Sequence, residues 1–155
     1  MRFTRPRSAV AALLLTVGVG LPLSIAAAGP AAAATCSGGG CDHQNPYGAG
    51  CFSGSYAVYD IPTGGAAAGY AARVRLWYSP ACSTVWASIY DVPPGAPSWA
   101  SVTRHSDGLT LSCQVDVGGV QSSATSCYTN MLYDGNSTSY ATGVAGNWSA
   151  STPSY

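Results

Sequence analysis

The chain has no lysine and no glutamate in any of its 155 residues. Its charge comes from six arginines and six aspartates, with two histidines, and charged residues make up only 8% of the sequence. Arg2, Arg5 and Arg7 stand at the N-terminal end. The remainder sets Arg73, Arg75 and Arg104 against all six aspartates, a net charge of −3. Phosphate binding depends on clustered positive charge, so this balance excludes nucleic acid as a partner. It also argues against attachment to anionic membranes. Beyond residue 34 no segment shows the 3.6-residue apolar period of a helix. No Gly-x-Ser-x-Gly nucleophile turn is present, and no paired two-residue cysteine spacing of the zinc-knuckle kind. No cofactor and no metal are therefore expected.

What the sequence has begins with an export signal. The three N-terminal arginines precede an apolar run over 9–25, interrupted by Pro22, and Ala31, Ala32, Ala33 and Ala34 supply the small residues of a cleavage site. This pattern reads as a secretory signal peptide over 1–34. A membrane anchor is the competing reading, but the apolar run is short and no charged block follows it. Thr35 before Cys36 does not suit a lipoprotein signal. Removing 34 residues leaves 121, enough for one domain over 35–155 with one modest core.

All six cysteines, Cys36, Cys41, Cys51, Cys82, Cys113 and Cys127, lie in that domain. An even number in a small exported domain predicts three disulfides. The pairing of the first four stays open. Residues 35–54 read as a Cys- and Gly-rich loop without periodicity. Strands are expected over 55–144. In 73–79, Val74, Leu76 and Tyr78 share one face, and Arg73, Arg75 and Trp77 the other. Ser79-Pro80 ends that run, and a second strand follows over 83–90. Asp107-Gly108 marks a hairpin, after which Leu109, Leu111, Cys113, Val115 and Val117 alternate on one face. A turn at Gly118-Gly119 would return the chain over 120–133, placing Cys113 and Cys127 on neighbouring strands, so that bridge is favoured. Residues 145–155 read as a loosely held tail. Short strands separated by Gly, Pro, Asn and Asp turns give an all-β fold, a small disulfide-stapled antiparallel sandwich or barrel.

Four pieces of the chain carry a family resemblance. They are Cys36…Cys41-Asp42 with Pro46 and Gly50-Cys51; Arg73-Val74-Arg75-Leu76 followed by Tyr78-Ser79-Pro80; Cys82…Trp86-Ala87; and Tyr128-Thr129-Asn130-Met131. Together they resemble the secreted actinobacterial domain-of-unknown-function family 2690. The chain departs from that pattern at His43-Gln44-Asn45 and in the enlarged loop over 63–69. The resemblance implies export and a compact β domain. It implies no activity and assigns no catalytic residue.

Candidate chemistry is sparse. His105 and Asp107 could join a serine on paper, but two residues apart beside a hairpin they read as turn polarity. Asp60, Asp91, Asp107 and Asp134 sit at strand ends, where aspartate bonds its own backbone. Asp42, His43 and Asn45 offer cation ligands without regular spacing. The aromatic residues are the stronger signal: four tryptophans and ten tyrosines, all beyond residue 34. Tyr78 and Trp86 belong to a core. Arg75, Trp77 and Trp99, and less clearly Trp148, are candidates for a binding surface, because exposed aromatics beside polar groups suit sugars or proteins. The competing reading is that a second packed face covers them. The expected function is non-catalytic binding at the cell envelope or outside the cell, to a cell-wall or extracellular polysaccharide. The alternative is a protein-directed inhibitor or interaction module, presenting the stiff segment Val92-Pro93-Pro94-Gly95 to an extracellular protein.

Overall fold

The computed structural model describes residues 33–64, 72–116 and 121–155. Apart from its last two residues, the expected signal segment lies outside the described residues. So do the tip of the enlarged loop, the Gly118-Gly119 turn and Val117. Among the described residues, no helix is long and apolar enough to cross a membrane.

Two antiparallel sheets stack as a sandwich. The first contains β1 (Tyr56–Pro62), β2 (Arg73–Ser79) and β3 (Thr84–Tyr90) in that order, with two short strands, β6 (Cys127–Tyr128) and β7 (Leu132–Tyr133), one after the other along the far edge of β3. The second runs β5 (Thr110–Gln114), β4 (Ser98–Arg104), β8 (Ser139–Ala145), β9 (Trp148–Ser151). Strand alternation sorts residues between the faces. Val74 and Leu76 of β2, Val85, Ala87 and Ile89 of β3, and Ala100 and Val102 of β4 fill the space between the sheets. Facing them, β8 buries only the small residues Ser139, Ala141, Gly143 and Ala145. A Cβ on Gly143 would stand 2.6 Å from the Cβ of Val74, so glycine sets how closely the sheets approach there.

A second, smaller core lies on the other side of the first sheet. Residues 35–54 fold as a cap around a 3-10 turn (Gly38–Cys41) and cover part of that sheet's outer face. Trp86 is 1% exposed beneath the cap, among Cys41, Cys51, Cys82, Ala49 and Met131. Two disulfides hold it: Cys36–Cys41 within the cap, and Cys51–Cys82 tying it to the β2–β3 turn.

Three expectations change. The segment 145–155 is not a loose tail. Gly146-Asn147 forms the two-residue loop of a hairpin, Gly146 takes φ 59°, and β9 pairs with β8. Beyond it, Tyr155 and Ser139 exchange both backbone hydrogen bonds, and buried Thr152 accepts from Ala141 N–H. The return over 120–133 is not one strand but two short ones, because Thr129 and Met131 turn in toward the cap and β3. Finally, Cys113 and Cys127 are bonded but are not neighbours in one sheet. β5 and β6 lie in different sheets, so this bridge joins the two layers.

Candidate functional site

The outer face of the first sheet carries the charged residues singled out above. Cross-strand register brings Asp60 beside Arg75 and Arg73 beside Tyr90. Arg73 Nε donates to Asp60 Oδ1 at 2.8 Å, and Arg75 donates to Asp60 Oδ2 at 2.5 Å. The Tyr90 hydroxyl donates to the same carboxylate and accepts from Arg75 at 2.8 Å. Burial alone would raise the Asp60 carboxyl, but the hydrogen bonds from Tyr90, Arg75 and Arg73 outweigh it and hold it at about 2. Arg75 also lies over the rings of Trp77 and Tyr90, 4.9 and 4.5 Å from their centroids. Trp77 stacks on Trp86 with their planes 4° apart, and its indole N–H donates to Ser88 Oγ. Arg75 and Trp77 are thus close together, half-buried, and engaged with their own neighbours.

Trp99 stands on the opposite outer face. It is 39% exposed at the end of β4. The outward positions of its sheet are mostly hydroxyl residues, with Gln114 and Val144 on either side of Trp99. In one register row Ser112, Ser101, Thr142 and Ser151 line up across all four strands. With strands about 4.8 Å apart, that row spans roughly 14 Å. Thr103 and Thr110 bond each other at 2.9 Å in the adjacent row, and Thr142 and Ser151 at 2.7 Å. A shallow depression of about 560 Å³ lies against Trp99, Ser101, Thr110, Ser112 and Gln114.

Across β5, the edge strand, a second cleft of about 320 Å³ shares Ser112 and Gln114 and continues to Gln121, Tyr128 and Asn130. Gln121 Nε2 donates to Asn130 Oδ1 at 2.9 Å, so both amides are held in place. Tyr128 is joined edge-on by Tyr47, which stacks on Phe52. Among the described residues, no charged side chain lines either hollow. A sugar ring presents C–H faces to an aromatic plane and hydroxyls to amides and alcohols, and this surface offers both.

Trp148 is exposed beside residues 93–96, where it helps to line a hollow of about 330 Å³. Val92 is buried, so the proline segment is anchored at its start. Asp107 is bound to Arg104 and held at about 2, first by that hydrogen bond and then by Leu109 N–H. His105 instead meets Ser154 Oγ at 2.8 Å, on the surface. The Asp42 carboxylate is taken up by Arg104 and by Tyr133 N–H, and Asn45 Oδ1 by the N–H groups of Tyr47 and Gly48.

Sequence reasoning found Trp99 but missed the hydroxyl row and the amide cleft. Ser101, Ser112, Thr142 and Ser151 are ordinary strand residues until register aligns them. Tyr128 and Asn130 stood within a family motif, but nothing in the sequence set them opposite Ser112 and Gln114.

Fold and site together define a small β-sandwich stapled by three disulfides, with one uncharged aromatic and hydroxyl surface. Such a bond set belongs to an oxidising compartment. The chain is a member of the family described as a protein of unknown function, DUF2690, whose model matches residues 39–142. No curated protein and no solved structure matches it.

Proposed function

We propose that this is a secreted, non-catalytic domain that binds a neutral polysaccharide of the cell envelope or extracellular space through the face around Trp99. One observation carries the reading: an exposed indole stands at a hollow with Ser101, Thr110, Ser112 and Gln114, and the hydroxyl row runs on from there across the sheet, with no charge among these residues. On the other face, the arginines and Asp60 are paired with each other. A charged ligand would call for complementary charge, and a neutral one does not. The disulfides and the N-terminal pattern of arginines, apolar run and small residues support export. The pairing of Asp107 with Arg104, away from His105, supports a role without catalysis. The anchored proline segment gives the inhibitor reading less support than the open Trp99 face gives to glycan binding.

The test is co-sedimentation of residues 35–155 with insoluble chitin, cellulose and peptidoglycan. Pelleting that Trp99→Ala removes and Trp77→Ala retains is the expected result. Failure to pellet with every matrix overturns the proposal.

A further inference from the structure

The glycan surface leaves the chemistry of the cap unused. The Sγ atoms of Cys36, Cys41, Cys51 and Cys82 all lie within 4.8 Å of one another, although they belong to two different bridges. Cys36 Sγ is 3.8 Å from Cys51 Sγ, which is bonded to Cys82. Cys41, Cys51 and Cys82 are buried, whereas Cys36 is partly open to solvent. Thiol–disulfide exchange needs a thiolate that can reach a disulfide sulfur, and access decides which sulfur is attacked first. The cap therefore combines one accessible sulfur with three enclosed ones in contact.

We propose that Cys36 is a reaction site for an external low-molecular-weight thiol, and that it opens a four-sulfur exchange centre. The thiolate attacks Cys36 Sγ. A mixed disulfide forms, the Cys36–Cys41 bond breaks, and the electron pair leaves on Cys41. The Cys41 thiolate attacks Cys82 Sγ, forming Cys41–Cys82 and releasing Cys51 as thiolate. Cys51 then attacks Cys36 Sγ, forming Cys36–Cys51 and returning the external thiolate. Three S–S bonds form and three break, with no net oxidation, so the external thiol is a catalyst. Both pairings keep the cap tied to the β2–β3 turn through Cys82. They differ in which cap residue is held there, Cys51 next to Phe52 or Cys41 at the end of the 3-10 turn. The Cys113–Cys127 bridge lies outside the cluster, so opening it by the same thiol leads only to reclosure.

The test incubates the oxidised protein with a small amount of glutathione without oxygen, quenches with acid and N-ethylmaleimide, and maps disulfide-linked peptides by mass spectrometry. The expected result is a glutathione adduct on Cys36, with peptides joining Cys36 to Cys51 and Cys41 to Cys82. Peptides of the new pairing should be absent before the thiol is added and present after it, because the thiol opens the only route between the two pairings. Cys113 should remain paired only with Cys127. In a variant carrying both Cys36→Ser and Cys41→Ser, the Cys51–Cys82 bridge should stay intact and form no adduct. An adduct that appears first on Cys41, Cys51 or Cys82 overturns the proposal. So does a Cys36 adduct that returns only the original pairing, or no adduct at all.

Discussion

The two outer faces of this sandwich start from the same strand alternation and reach different ends. On the first sheet, Arg73, Arg75, Asp60 and Tyr90 close into one network, and the disulfide-bonded cap covers Trp86. On the second, none of the described residues lays down a cap. Trp99, Ser112, Thr142 and Ser151 meet solvent across the sheet, while Ser101 between them is buried at the floor of the row. An aromatic residue on an outer strand position is therefore not a binding residue by that fact alone. Trp77 and Trp99 look alike in sequence, each flanked by strand residues. The first has a parallel tryptophan and a serine acceptor. The second opens on a hollow.

Removing Trp86 should have the largest effect on this contrast. Trp86→Ala empties the centre of the cap core and should lower unfolding stability by about 3–5 kcal/mol, read by urea denaturation. Glycan pelleting by the molecules still folded should persist. Loss of pelleting without loss of stability would mean that the capped face is the binding face.

Gly143→Ala tests the spacing that holds both faces on one frame. The added methyl meets the stiff Val74 side chain, and overpacking of this kind costs about 1–3 kcal/mol. A thermal transition within a degree of the parent would show that the sheets can separate freely there.

Trp99→Ala should leave stability within about 0.5 kcal/mol, as for a surface position. It should weaken polysaccharide binding by roughly tenfold or more, the scale of one lost aromatic stacking contact, read by depletion isotherms. A stability loss as large as that of Trp86→Ala would place Trp99 with the structural tryptophans.

The smallest effects are in pH, and the two carboxyls have opposite signs. Asp60 is held below the ordinary value of 3.8, at about 2, so its stabilisation is present above pH 4 and is lost as pH falls toward 2. Asp134 is pushed up to about 6 by burial, despite a hydrogen bond from Ser139. The neutral form is favoured in the fold, so stability present below pH 4 is lost as pH rises through 6. Asp134→Asn should flatten the stability profile between pH 4 and 6 by about 1 kcal/mol after allowance for solvent screening. An unchanged slope in chemical denaturation across that range would show that another group is responsible.

Much of the fold was legible in the sequence. Alternation in 73–79, the β-branched and aromatic content of 84–90 and the turn residues between strands gave an all-β class, because period-2 burial and strand propensity leave a direct mark on residue order. The even cysteine count gave a stapled domain. The hairpin at Gly146-Asn147 carried a readable turn signal, although the serine-rich residues after it concealed the strand. Cys113 and Cys127 are bonded as expected, but across the two layers rather than between neighbouring strands of one sheet.

The sequence by itself determined the strand periodicity, the positions of the turns, the scarcity of charge and the number of thiols. These are local or additive properties, fixed by which residue follows which. Only the tertiary structure decided which outer face is closed and which is open. It did so through strand register, which brought Trp77 against Trp86 and aligned four hydroxyls separated by as many as 50 residues. It also gathered four cysteines from 36 to 82 into one cluster. Contacts between distant segments depend on how two sheets and a cap share one small volume, and no window along the chain contains that information.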